Sequence, residues 1–428
     1  MRIPVDTHTL DNGLRVILSE DHRAPIVAVN LWYHVGSANE RVGRTGFAHL
    51  FEHMLFQGSE QVGANEHFEL IQRAGGTLNG STWLDRTNYF ETVPSHHLAL
   101  ALWLEADRMG RLLPAMTQEK LDTQRGVVMN ERRWSVDNQP YGTWWEQLPA
   151  LTFPPAHPFH HSLIGSFADL EAASLDDITE FFRTYYTPDN AVLTIVGDFD
   201  PAAATVLVAT HFGAIARGGG KPPLGEMTVP ARFGSWLRAE VEDDVMVPRV
   251  YLAFRAPLFG SDASYASGIC GAILGMRRGS LMHRALVREG QVASAVSAST
   301  WDLSKGADLL VLDATARPGI SAERLENAMV ETVEALRRDG VTDADVARAV
   351  ALIETDFVTT MQSASDRADK LSLFATYLGD PHRLNEEVER YRGVTAAQVT
   401  AFAREFMGKD NRASLVYVPR AAETSEVA

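Results

Sequence analysis

Short apolar runs broken by turn residues open the chain, and the elements they predict are strands. Residues 7–10 and 14–18 flank Asp11-Asn12-Gly13, and 26–35 is a further apolar run. Residues 48–56 contain neither Gly nor Pro and are rich in apolar side chains, which predicts a helix. A short helix at 66–73, closed by Gly75-Gly76, leads to strands at 78–84 and 88–93 around a turn at Asp85-Arg86. Two longer helices follow: Ser95 is placed to cap one through residue 113 and Thr117 another through about residue 134, with Glu119 in its first turn.

The helix at 48–56 carries the first candidate chemistry. His49, Glu52 and His53 stand three and four positions apart and share a face, so two imidazoles and a carboxylate point at one spot. Neutral imidazole suits zinc, and a glutamate beside it can take a proton from water. The order His-x-x-Glu-His is the inverted zinc-peptidase signature, with both histidines as ligands and the glutamate as base. The plainer alternative is a helix with a hydrated His/Glu face. Against it, Phe47, Leu50, Phe51, Met54, Leu55 and Phe56 surround the triplet, and buried charge needs a partner.

A catalytic zinc usually has three protein ligands. On the helix predicted at 117–134, Leu121, Gln124, Val127, Val128 and Glu131 fall on one side, so Glu131 projects from an apolar stripe and is the candidate third ligand. The alternative pairs Glu131 with Arg132, Arg133 or another arginine at the surface.

Composition narrows the class. The 428 residues are 45% hydrophobic and 22% charged, as expected of a soluble globular chain long enough for two domains. A net charge of −16 disfavours nucleic acid or an anionic membrane as partner. Cys270 is the single cysteine, which removes an intrachain disulfide or a Cys-based zinc site, and its apolar surroundings predict a core role. No apolar run approaches the roughly 18 residues a membrane span needs, and MRIPVDTHTL lacks a basic-then-apolar leader, so the expected compartment is the cytoplasm, or the periplasm if a signal was removed ahead of residue 1.

The chain also repeats itself. Ala24-Pro25-Ile26-Val27-Ala28-Val29 is echoed by Val247-Pro248-Arg249-Val250-Tyr251-Leu252, and the segment SLDDITEFFRTYYTPDNAVLTIV from Ser174 by TAAQVTAFAREFMGKDNRASLVYV from Thr395. Phe181 matches Phe402, Tyr185 matches Phe406, and Asp189-Asn190 match Asp410-Asn411. The near-equal offsets, 25 to 248 and 174 to 395, imply two copies of one fold. The positions matching His49, Glu52 and His53 are Ala272, Gly275 and Met276, so only the first copy can hold the metal. Arg217-Gly218-Gly219-Gly220-Lys221-Pro222-Pro223 reads as a linker. The expected domains are a zinc-bearing one at 1–212, a linker at 213–230, and a homologous domain without ligands at 231–428. The fold class is α+β, each half a mostly antiparallel sheet with helices packed on one face.

The segments HLFEHMLFQGS, GGTLNGSTWLDRTNYFETVP and VVMNERRWSVDNQPYG, in that order and spacing, resemble the M16 metallopeptidases (pitrilysin, insulysin and mitochondrial processing peptidase) over nearly the whole chain. The resemblance implies a two-domain half of a clamshell, one zinc ion per chain on His49, His53 and Glu131, and Glu52 as catalytic base. Many members carry a glutamate seven residues before the third ligand, where this chain has Gln124. The strand at 78–84 is expected to end a sheet beside the zinc and pair with an extended peptide, with Asn79, Gly80, Ser81 and Thr82 small or polar enough for close approach. The other reading makes Asn79-Gly80 a turn. Family members supply an Arg and, seven residues later, a Tyr from the second half. Here Arg288 is followed at that spacing by Ala295, and surface exposure is the competing role for Arg288. The gap leads to an expected heterodimer with a zinc-less homologue carrying the Arg/Tyr pair, or alternatively a homodimer. The expected activity is a zinc-dependent endopeptidase acting on oligopeptides or unfolded segments. A non-catalytic scaffold or processing-complex subunit, and a zinc hydrolase of other substrates, are the alternatives.

Overall fold

The computed structural model describes residues 2–420. Eleven strands are found among them: β1 (Asp6–Thr9), β2 (Arg15–Glu20), β3 (Ile26–Tyr33), β4 (Thr77–Thr82), β5 (Thr87–Pro94), β6 (Ala191–Gly197), β7 (Leu237–Asp243), β8 (Arg249–Ala256), β9 (Ala293–Thr300), β10 (Asp308–Ala316) and β11 (Ala413–Pro419). They form two mixed sheets, ordered β1-β2-β6-β3-β5-β4 and β7-β11-β8-β10-β9.

The second sheet repeats five strands of the first. β2 runs parallel to β6, with Arg15 opposite Val192, and β7 runs parallel to β11, with Leu237 opposite Ala413; every other pairing is antiparallel. The repeated motif before the last strand works the same way twice. Ser174 and Thr395 each cap a helix (Leu175–Tyr185 and Ala396–Phe406) through a capping box. Asn190 then donates to the carbonyls of Tyr185 (2.8 Å) and His34 (3.3 Å), and Asn411 to those of Phe406 (2.6 Å) and Arg255 (2.8 Å).

The compact units do not follow the sequence halves. Among the described residues, one comprises 2–133, 161–225 and 358–386; the other comprises 134–160, 226–357 and 387–420. Each sheet has a face covered by a helix from the opposite half. In the first unit the helix Ala364–Tyr377 lies across β3 and β6. Trp32 Nε1 donates to Asp369 (3.0 Å), its ring meets Tyr377 edge-on at 5.8 Å, and Thr194 bonds the Ser372 hydroxyl at 2.8 Å. This cover is why β6 is buried along its whole length and why Asn30, Asn88 and Thr194 are buried with it. In the second unit the helix Trp144–Thr152 packs on β11 and β7, with Trp144 stacked on Tyr251 at 4.9 Å. The domain expectation of 1–212 and 231–428 misses this exchange, because amphipathic periodicity shows that a helix buries a face but not which sheet receives it.

Two smaller expectations also change. Ser95 caps nothing: Ser95–His97 is a short turn, and the helix Leu98–Arg111 begins without a side-chain cap. The helix at 48–56 is shorter, Phe47–Met54. Thr117, by contrast, caps the helix Gln118–Arg132 by accepting from the Lys120 amide at 3.3 Å. No helix among the described residues is long and apolar enough to cross a membrane.

Candidate metal centre

The helix Phe47–Met54 is amphipathic in the sense its sequence predicts. Phe47, Leu50, Phe51 and Met54 go into the core, where Phe51 stacks on Tyr186 at 4.7 Å. That burial turns His49, Glu52 and His53 toward the helix Gln118–Arg132 and strand β4, both of which pack on it. On the facing helix Leu121, Gln124 and Val128 are buried, while Val127 is exposed, so the apolar stripe is narrower than the helical wheel indicates.

Glu131 reaches both imidazoles. His53 Nε2 lies 3.2 Å from one Glu131 oxygen and His49 Nε2 lies 3.6 Å from the other. Three ligand atoms at about 2.05 Å from a tetrahedral ion stand roughly 3.4 Å from one another. The two separations are to different oxygens of Glu131, and one ligand atom from each of the three residues lies within 4.8 Å of the others, so the donor types suit zinc and the groups stand near enough to share an ion after a small closure. His49, His53 and Glu131 are also the group of potential metal ligands found among the described residues. Burial holds the His49 imidazole down, to about 4, with His53 adding to the effect and Glu131 opposing it. At neutral pH that ring therefore keeps its lone pair free for a metal.

Two carboxylates in one site have been driven apart electrostatically. The hydrogen bond with His53 keeps the Glu131 carboxyl below its ordinary value, against burial. Burial pushes Glu52 up, and the hydrogen bond that its Oε2 accepts from the Thr82 hydroxyl (2.7 Å) pulls partly back. The two carboxyls are thus shifted in opposite directions, the pattern by which acid and base roles are separated in active sites. A Cβ added to Gly80 would sit 3.1 Å from both Cγ and Oε1 of Glu52, a tight fit that would make the Glu52 side chain shift by a few tenths of an ångström.

β4 is one of the two edge strands of its sheet. The hairpin closes with the Trp83 amide donating to the Arg86 carbonyl at 2.8 Å. Hydrogen-bonded and non-bonded pairs alternate in an antiparallel ladder, so the backbone groups of Leu78, Gly80 and Thr82 point outward to the open edge. The Gly80 amide is consistent with this, since it bonds the Asn79 side-chain oxygen at 2.9 Å instead of β5. Ser81 serves the hairpin: its hydroxyl donates to Asn88 (2.6 Å) and its carbonyl accepts from Arg86 (3.0 Å). Of the four small residues singled out in the sequence, Gly80 and Thr82 therefore offer backbone, Asn79 covers it, and Ser81 is committed internally.

Arg288 belongs to the second unit, exposed near the end of the π-helix His283–Glu289, whose Leu286 is buried, and it pairs with Glu289 at 3.3 Å. Ala295 lies on β9, one of the two edge strands of the second sheet. The partnership of Thr82 with Glu52 was not anticipated. Its one signal in the sequence is that positions 80 and 82 share a strand face, so a hydroxyl stands beside the glycine.

Residues 15–156 match the family Insulinase (Peptidase family M16), and residues 172–353 match the Peptidase M16 inactive domain. The chain is 29% identical to the zinc protease PqqE of Helicobacter pylori over 414 residues, 96% of this chain and 91% of that one. The solved structure of a protease from Helicobacter pylori superposes with a TM-score of 0.91 at 26% identity, covering 98% of this chain and 100% of that one. A peptidase M16 inactive domain from Pseudomonas fluorescens shares the fold with a TM-score of 0.86 at 18% identity, covering 98% of each.

Proposed function

Because the chain belongs to the M16 family of peptidases, we propose that it is a zinc-dependent endopeptidase that cleaves oligopeptides or unfolded segments of protein. His49, His53 and Glu131 hold the ion, and Glu52 is the general base. When bound, zinc supplies a Lewis acid for the scissile carbonyl and brings water within reach of deprotonation near neutral pH.

The rest of the chemistry belongs to the chain. Thr82 occupies Oε2 of Glu52, which leaves Oε1 as the atom that takes the proton from water and returns it to the leaving amine. Burial makes that carboxylate the more basic of the two in the site. The substrate backbone adds to the sheet along Leu78, Gly80 and Thr82, and its carbonyl replaces the Asn79 side chain on the Gly80 amide. Gly80 lets the scissile segment lie close to Glu52.

One observation supports this reading above the others: two imidazoles and a carboxylate from separate helices cluster, with ligand atoms within 4.8 Å of one another, beside a second carboxyl whose pKa burial raises. A scaffold has no use for that division of labour. Replacing Glu52→Gln tests it, since the variant should bind zinc like wild type yet lose at least about 100-fold in peptide turnover. Undiminished turnover would refute the role of Glu52. Arg288 without a following tyrosine leaves the second half short of a family feature, and we infer that a zinc-less homologous subunit completes the site, with a homodimer as the alternative.

A further inference from the structure

The helix that carries both histidines begins awkwardly. Its N-cap, Gly46, is in the left-handed region at φ 82° and offers no side chain to the first-turn amides, which still need acceptors. Glu40 supplies them from six residues upstream. Its side chain is fully buried, Oε2 accepts from the Gly46 amide at 2.9 Å, and Oε1 accepts from the Ala48 amide at 2.7 Å. The carboxyl group, whose pKa burial pushes well above its ordinary value, thus grips the backbone one residue before His49. His161 flanks it, Nδ1 to Oε2 at 3.5 Å.

The same helix start is pressed against a second glycine. A Cβ on Gly46 would lie 2.4 Å from the Ile164 carbonyl oxygen, and one on Gly165 would lie 2.5 Å from the Gly46 Cα, so the two backbones touch and neither position has room for a side chain. Asp169, on the same crossing segment, accepts from the Thr45 amide at 3.0 Å. The other end of the connection is Arg132, the residue after Glu131. Its Nη1 donates to the Gly165 carbonyl at 2.6 Å. One short segment therefore holds the start of the histidine helix and the end of the glutamate helix.

We propose that Glu40, the Gly46–Gly165 contact and Arg132 form a brace that fixes the separation of the two ligand-bearing helices, which makes Glu40 and Arg132 positioning residues of the metal centre. The proposal rests on the zinc reading above. Groups that orient metal ligands from behind typically change metal affinity about 10–100-fold when removed. The brace acts on two helices at once, so loss of either end should act on both affinity and ligand geometry.

The test uses the full chain as wild type, Glu40→Gln and Arg132→Lys, with zinc affinity read by competition against a chelator. The visible absorption of the cobalt(II)-loaded protein reports ligand geometry, and circular dichroism reports the folded fraction. Both variants should bind zinc about 10–100-fold more weakly and show altered cobalt bands while folded. A lowered melting temperature with wild-type affinity and wild-type bands would mean a merely structural role and overturn the brace. Should Glu40→Gln fail to fold, Arg132→Lys decides alone, because lysine keeps the charge and loses the fork that reaches Gly165. His49→Ala separates the two claims. If it binds zinc as tightly as wild type, the zinc reading fails and the brace with it; if it loses zinc while both brace variants bind normally, only the brace fails.

Discussion

The Glu52 carboxyl shows how far a titrating group is set by its immediate neighbours. The Thr82 hydroxyl favours the charged carboxylate, and burial disfavours it more strongly. Thr82→Val keeps the shape and removes the donor, so the Glu52 carboxyl should move further up. With Glu52 as the proposed base, acting deprotonated, raising its pKa shifts the acid limb of the kcat/KM profile to higher pH, and activity below the optimum falls while activity on the plateau changes less. A pH profile superimposable on wild type would show that Thr82 does not touch the base. At this scale the sequence was informative where partners are close along one element. His49, Glu52 and His53 are legible from spacings of three and four. Glu131 required the added argument that a carboxylate on an apolar stripe needs company. The bond from Thr82 to Glu52, and those from Glu40 to the Gly46 and Ala48 amides, join separate segments, and no periodicity encodes them.

Elements were read well where local chemistry defines them. The hairpin β4–β5, the Thr117 cap and the helix Glu66–Arg73 all follow from turn, cap and breaker residues. What local chemistry does not specify is destination. The helix Ala364–Tyr377 lies over 150 residues beyond β6 in the chain, yet it covers the first sheet and satisfies Trp32 and Thr194. A fragment ending at residue 225 lacks that cover, exposing one face of β3 and β6 with its buried polar groups unpaired. It should fail to unfold cooperatively and should bind a hydrophobic dye. A soluble fragment with a sharp thermal transition would show that the borrowed helix is dispensable to the first unit.

For the whole molecule, duplication explains both the likeness of the two sheets and the difference in their chemistry. The second copy keeps the strand order, the capping box and the paired asparagine bonds, but its helix Asp262–Gly275 has Ala272 and Gly275 where ligand and base would stand. If a zinc-less homologue completes the site, the purified chain alone should hydrolyse peptides poorly and gain activity when that homologue is added. Full activity from the isolated chain would rule out an obligatory partner and favour the self-sufficient or homodimeric arrangement.

All of this depends on one ion shared by two helices, so metal content is the direct measure. Emission spectroscopy on the purified chain should give about one zinc per wild-type molecule and little in His53→Ala or Glu131→Ala, both remaining folded. Equal zinc in wild type and in both folded variants would contradict the account, because the metal would then reside elsewhere.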